Sequence, residues 1–255
     1  MPSIRNLYLI LDLPMQHHQL HEFRTQFKEL RSMAYNRDEE GKNVFGFPLI
    51  QFRVHMGHAA VFAINDGAAA IEKLVKKKGW RVLSREVNHD FPLAKLAGKK
   101  MMFYRMYRWI PMDERYFPSP AINQLLDDND AMPVIPWNQQ FMDEKVKTLE
   151  GILVTNIIEF AQKAEWRISK NKSLRVRLQD IHHINTVKLY GRDVLAFDIT
   201  YAANIALPDH LGLGRGKSLG YGWQRLSEHN EKLNQMIASA PAHTVRQQVK
   251  HSVKV

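Results

Sequence analysis

Residues 47–79, FPLIQFRVHMGHAAVFAINDGAAAIEKLVKKKG, decide how the rest of the chain is read. Phe47 to His55 and His58 to Ile64 are apolar runs with strand character, and Met56-Gly57 between them is the length of a tight hairpin link. Asn65-Asp66-Gly67 then opens a helix in which Ala68, Ile71, Leu74 and Val75 recur at helical spacing. Lys76, Lys77 and Lys78 followed by Gly79 end it, cations and a glycine being favoured at the negative end of a helix. A strand-strand-helix unit needs further strands to complete a sheet, and both flanks supply them.

Upstream, residues 4–13 (IRNLYLILDL) are almost wholly apolar and stop at Pro14, which predicts a buried central strand. Leu20, Phe23, Phe27 and Leu30 then form one stripe of an amphipathic helix expected from Gln16 to about Met33, and the polar stretch Tyr35 to Gly46 is a loop. Downstream, Trp80 to Val87 and Lys99 to Ile110 are strand candidates, so the first half reads β-α-β-β-α-β, the ferredoxin-like pattern.

A chain of 255 residues has room for a second such domain. Residues 111–137 carry Pro111, Pro118, Pro120, Pro133 and Pro136 with the acidic turn Asp127-Asp128-Asn129-Asp130, a composition suited to a linker. The expected division is an N-terminal domain over 1–115, a linker over 116–137, a C-terminal domain over 138–225 and a basic extension over 226–255. In the second half a long helix is expected from Met142 to Ala164, burying Leu149, Ile152, Leu153, Ile157 and Phe160. Leu174 to Gln179, Thr186 to Tyr190 and Val194 to Leu207 read as strands, with Gly191-Arg192-Asp193 as a hairpin turn. The fold class is α+β, two tandem ferredoxin-like (RRM-like) domains.

The absence of cysteine excludes disulfides, thiolate nucleophiles and cysteine zinc sites, and agrees with an expected cytoplasmic location. No apolar run reaches membrane-helix length, and the stretch after Met1 lacks the order of a signal peptide, so no membrane partner is expected. A formal net charge of +10 and a pI of about 9.7 point toward a polyanionic partner.

Residues 212–222, GLGRGKSLGYG, place five glycines, two cations and one hydroxyl in eleven positions. Gly212, Gly214, Gly216, Gly220 and Gly222 allow close backbone approach and amides turned toward an anion, Arg215 and Lys217 add charge, and Ser218 adds a donor. Gly216-Lys217-Ser218 supplies half of a nucleotide P-loop, but Leu211 stands where its first glycine belongs and Gly220 and Gly222 interrupt the helix that must follow. A dinucleotide fingerprint starting at Gly212 fails at Lys217.

The spacing G-h-G, five residues including a cation, G-h-G resembles the C-terminal signature of the CRISPR repeat-RNA processing endoribonucleases of the RAMP superfamily. Pro208-Asp209-His210-Leu211 resembles its lead-in. Phe47-Pro48-Leu49-Ile50-Gln51-Phe52 and Ile64-Asn65-Asp66-Gly67 are similar to the second strand and helix entry of one branch, and Pro136-Trp137 and the long helix through Asn156 extend the likeness over most of residues 1–225. The resemblance implies two ferredoxin-like domains and a CRISPR repeat RNA or guide RNA as partner, with other CRISPR effector subunits and a homodimer as further candidates. It implies no cofactor and no metal: a ribose 2′-hydroxyl attacks the adjacent phosphate, leaving a cyclic phosphate and a 5′-hydroxyl. A general base, a general acid and cations serve such a reaction.

Where the resembled branch carries a His-Asn-His-like stretch, this chain has Tyr35-Asn36-Arg37. Neither Tyr nor Arg is a good base near neutrality at its ordinary pKa, although Arg stabilises phosphorane charge. Lys42, His55 and His58 in the same loop and hairpin are substitutes, so the catalytic candidates are Tyr35, Arg37, Lys42, His55 and His58. The loss of the histidines keeps a second reading open, a catalytically silent subunit that holds guide RNA, and a third, a structural RAMP-like subunit without repeat specificity. Arg53, Arg175 and Arg177 join the glycine loop as RNA-binding candidates, and cations alternate with aromatics over Lys99 to Trp109. His17, His18 and His21 have helical spacing but no matching carboxylate, and are expected to be solvated.

Overall fold

The computed structural model describes residues 2–34, 47–98, 100–111, 141–166, 168 and 174–227. The first sheet is built from β1 (Ser3–Pro14), β2 (Ile50–His55), β3 (His58–Ile64) and β4 (Val82–Pro92), all antiparallel, in the spatial order β2-β3-β1-β4. Between β1 and β2 run the short helices α1 (Leu20–Thr25) and α2 (Arg31–Ala34), and α3 (Asp66–Lys78) precedes β4. The hairpin closes through Met56 and Gly57, both at positive φ, with His55 opposite His58. Gly79 ends α3 in the left-handed conformation behind its three lysines, as expected. Asn65 does not cap that helix with its side chain; its Oδ1 accepts the Arg5 N–H at 3.2 Å and ties the helix entry to β1.

The single helix expected over residues 16–33 is broken into short pieces. Gln26, Phe27 and Leu30 donate three residues back, to Phe23, Arg24 and Phe27, which tightens the chain into 3₁₀ turns. The apolar stripe still works: Leu20, Phe23 and Phe27 are buried against Phe52, Ile71 and the Leu7, Leu9 and Leu11 face of β1.

The second sheet contains β5 (Met102–Trp109), β6 (Val176–Leu189), β7 (Arg192–Ala203) and β8 (Trp223–Leu226), in the order β6-β7-β5-β8. The strand over Lys99 to Ile110, assigned from sequence to the N-terminal half, is therefore the first strand of the second sheet, with Tyr104 opposite Tyr201 and Leu226. Its hydroxyl bonds fix it there, since Tyr104 Oη donates to Ile205 O and accepts the Leu207 N–H. The change of sheet falls between Pro92 and Met102, ahead of the expected boundary at 116. The strands expected over Leu174–Gln179 and Thr186–Tyr190 fall together in one long β6 (Val176–Leu189) whose register shifts at Leu178/Asp180 and Ile181/His183, and those bulges hide its continuity in the sequence pattern. The linker residues 116–137 and the extension beyond Ser227 lie outside the described residues.

Helix α4 (Met142–Lys163) forms where expected and buries Leu149, Leu153, Ile157 and Phe160, while Ile152, also expected in the core, is half-buried. Strand order in the second sheet repeats that of the first, and together the two four-stranded sheets with their helices form the tandem ferredoxin-like fold. One element differs. Where the first unit has α3 between its third and fourth strands, the second has residues 204–222, in which the sole described helical turn is Lys217–Leu219. Ile4, Tyr8 and Phe62 from the first unit meet Trp109, Leu153 and Tyr201 from the second in one shared core. Among the described residues no helix is long and apolar enough to cross a membrane.

Candidate functional site

The glycine segment that replaces a helix is bolted to the first sheet by β2. The Gln51 amide donates to Gly212 O at 3.1 Å and accepts the Gly212 N–H at 2.7 Å, both buried, so this side chain pairs with the loop as a neighbouring strand would. Two residues on, and on the same face of β2, the Arg53 guanidinium donates to His210 O. The glycines are needed for this proximity. At Gly214 an added Cβ would lie 2.6 Å from Trp109 Nε1, and at Gly222 it would lie 1.9 Å from Leu213 O.

Gly214, Arg215, Gly216, Lys217 and Ser218 line a cleft of about 280 Å³ whose other walls are Arg24, Ala34, Pro48, Asn156, Glu159 and Tyr190. Among the described residues, the amides of Gly216, Lys217 and Ser218 and the Ser218 hydroxyl have no hydrogen-bond partner, which leaves donors for an anion. Lys217 is not a free cation: its Nζ lies 3.2 Å from Glu159 and 5.3 Å from the centre of the Phe47 ring. Tyr35, Arg37 and Lys42 lie outside the described residues. Ala34, which precedes that segment, and Pro48, just beyond it, both line the cleft.

The remaining candidates are elsewhere. Arg53, expected on RNA, is buried at 2% exposure, because the His210 carbonyl and the rings of Tyr8 and Trp223 close over it. Burial holds its pKa down at about 10. His55 and His58 do not line the glycine-loop cleft; His55 sits edge-on to Tyr8 and Trp223 at ring distances of 5.9 and 6.4 Å, and burial followed by the charges of Arg225 and Arg53 lowers its pKa. Arg175, just before β6, and Arg177, within it, are exposed, but Arg177 pairs with Glu150 at 3.1 Å and Arg175 donates to Gly98 O.

Two histidines have surroundings that the sequence does not mark. His210, read only as part of a lead-in, stacks on Tyr8 at 3.7 Å; Glu86 lies 3.5 Å from its Nε2 but is largely exposed, and burial, then Arg53 and Arg225, outweigh it and push the His210 pKa down to about 3. His17, expected to be solvated, is packed edge-on against Tyr221 of the glycine segment at 5.1 Å, and burial and Arg108 lower its pKa to about 4. Nothing local in the sequence marks either; the ring that each packs against is some 200 residues away in the chain. Among the described residues no three His, Asp or Glu side chains form a metal-holding group.

Both halves of the chain match family models, residues 3–101 that of the Cas6b N-terminal domain and residues 136–226 that of the Cas6b C-terminal domain. A comparison with curated proteins gives no match. Among solved structures, a Cas6b crystal structure superposes with a TM-score of 0.65 at 15% identity, over 88% of this chain and 100% of that one. A second, described as the CRISPR RNA processing endoribonuclease Cas6b, gives 0.63 at 14% identity over 88% and 100%. Csf5, a type IV CRISPR-Cas Cas6 crRNA endonuclease, gives 0.55 at 10% identity over 89% and 100%. At such identities the structural likeness speaks for the fold, and the family rests on the two matched domain models. The chain belongs to the Cas6b family of CRISPR repeat-RNA processing proteins.

Proposed function

We propose that the protein binds the repeat of a CRISPR precursor transcript at the glycine-loop cleft and cuts it without a metal ion. The observation that carries this reading is the cleft itself: amides without a partner among the described residues, and Arg215, around a loop held at the junction of the two units, in a chain matching both Cas6b domains. A phosphate seated on the amides of Gly216 to Ser218 and on Arg215 presents its phosphorus to the neighbouring 2′-oxygen. That oxygen attacks, its proton passes to a base, and the 5′-oxygen leaves with a proton from an acid, giving a cyclic phosphate. The acid and base are assigned to the segment with Tyr35, Arg37 and Lys42, whose described neighbours Ala34 and Pro48 face the cleft. Lys217 joins the phosphate site when the incoming anion displaces Glu159.

The silent guide-RNA holder remains as a second reading, favoured by Tyr35-Asn36-Arg37 in place of the histidines and by the engagement of Lys217 with Glu159. Incubation with the host's own repeat RNA, with and without EDTA, separates the two: cyclic-phosphate ends in both conditions mark the enzyme, and retention without products marks the holder. Combined replacement of Arg215 and Lys217 by alanine is expected to weaken repeat binding at least tenfold and to flatten the log K against log salt slope by about 1.4, as for two lost single-strand phosphate contacts. An unchanged slope would remove the loop from the RNA interface.

A further inference from the structure

The second sheet turns a face to solvent that the glycine-loop cleft does not use. Strand alternation sends Tyr104 and Met106 of β5 into the shared core and leaves Arg105 and Tyr107 half-buried on the other side. Cross-strand pairing puts Arg225 opposite Arg105 and Trp223 opposite Tyr107 on that same face. Tyr107 and Trp223 stack at 4.4 Å with 23° between their planes, and each keeps part of its surface in solvent. Two arginines directly opposite on paired strands repel, and among the described residues neither forms an ion pair. Two acids of this sheet are engaged elsewhere: Asp180 lies 3.1 Å from His182, and Asp198 accepts the Arg108 N–H at 2.7 Å. The Arg105 Nε is buried without a partner among the described residues, beside the Tyr107 ring at 5.6 Å.

We infer that this face is a second RNA-contact surface, a platform on which unpaired bases stack against Tyr107 and Trp223 while Arg105 and Arg225 take the adjoining phosphates. An uncompensated cross-strand arginine pair calls for an anion, and the flat aromatic pair beside it selects an anion that carries planar rings. A single strand meets both demands; a duplex hides its ring faces, and a phospholipid headgroup has none. The inference rests on the reading of the chain as an RNA-binding protein and adds to it where the unpaired part of the substrate lies.

The test uses the whole chain and a fluorescein-labelled ten-nucleotide oligoadenylate, with a ten-base-pair RNA duplex as comparison. Arg105→Ala/Arg225→Ala and, separately, Tyr107→Ala are compared with the unaltered protein after circular dichroism has confirmed equal folding. Expected is a loss of about tenfold or more on the single strand for each variant, with quenching of tryptophan emission on binding to the unaltered protein and less than twofold change on the duplex. Equal affinity of all three proteins for the single strand would overturn the platform, and so would an equal loss on single strand and duplex, which would reduce the face to a charge field. The cut or retained repeat RNA is scored in parallel. Normal repeat processing by variants that also keep oligoadenylate affinity removes the platform alone, whereas an unaltered protein that neither holds nor cuts repeat RNA removes the reading beneath it.

Discussion

Gly222→Ala is expected to lower the thermal midpoint by about 10 °C, a loss near 3–4 kcal/mol for a chain of this size. Two effects add. The residue sits at a φ of +65°, where a side chain costs about 1–2 kcal/mol. Its Cβ would also fall 1.9 Å from Leu213 O, a backbone atom that cannot swing aside. Relief by backbone movement is blocked on both sides, because Leu213 N–H donates to Gly222 O at 2.9 Å and Gly222 N–H donates to Arg108 O at 3.2 Å. Gly57 is the matched control: φ is +79°, but an added Cβ meets nothing within 4 Å, so Gly57→Ala should show the strain alone, about 1 kcal/mol. Equal melting of the two variants would mean that the loop does not close on itself as described.

The second large effect is a loss of stability in mild acid. An unfolded histidine takes up its proton near pH 6.5, whereas His210 in the folded chain resists protonation down to about 3, chiefly because it is buried and then because Arg53 and Arg225 oppose a further positive charge. The unfolded state therefore binds more protons over this interval, and stability that is complete above pH 6.5 drains away as pH falls toward 3. Half-buried His17, lowered to about 4, acts in the same direction. For His210 alone the loss is about 2 kcal/mol between pH 6.5 and 5, and about 4 kcal/mol by pH 3. Urea midpoints at pH 7 and pH 5 read this directly. His210→Asn, which tolerates the positive φ of that position, should start less stable and lose less between the two. Coincident midpoints for the unaltered protein would contradict the burial of His210.

The hairpin of β2 and β3, helix α3 and helix α4 were legible because each is specified by its own short window: alternation, a two-residue turn, a spaced apolar stripe, a glycine stop. The same windows say that Lys99 to Ile110 is a strand but not whose neighbour it is, since pairing with β7 and β8 is decided by residues about 100 positions later. Arg53 shows the limit on the functional side. A cation in a strand between Phe52 and Val54 reads as solvated, and only the arrival of His210 and Trp223 from the far end of the chain buries it. Gln51 was noticed as part of a resemblance, yet its work, holding both backbone groups of Gly212, belongs to tertiary structure. The glycine segment was the reverse case, since five glycines in eleven positions announce close packing from the sequence itself.

The loop that stands in for a helix also sets a time order on the ribosome. The strands of the first sheet are contiguous in sequence between Ser3 and Pro92, so that unit can close while the chain is still emerging. The glycine segment has no such independence: it is held by Gln51, 161 residues upstream of Gly212, and by β8, which pairs back to β5. The glycine-rich turn is thus assembled only after both sheets are in place, and a half-made chain, however basic, has no formed cleft.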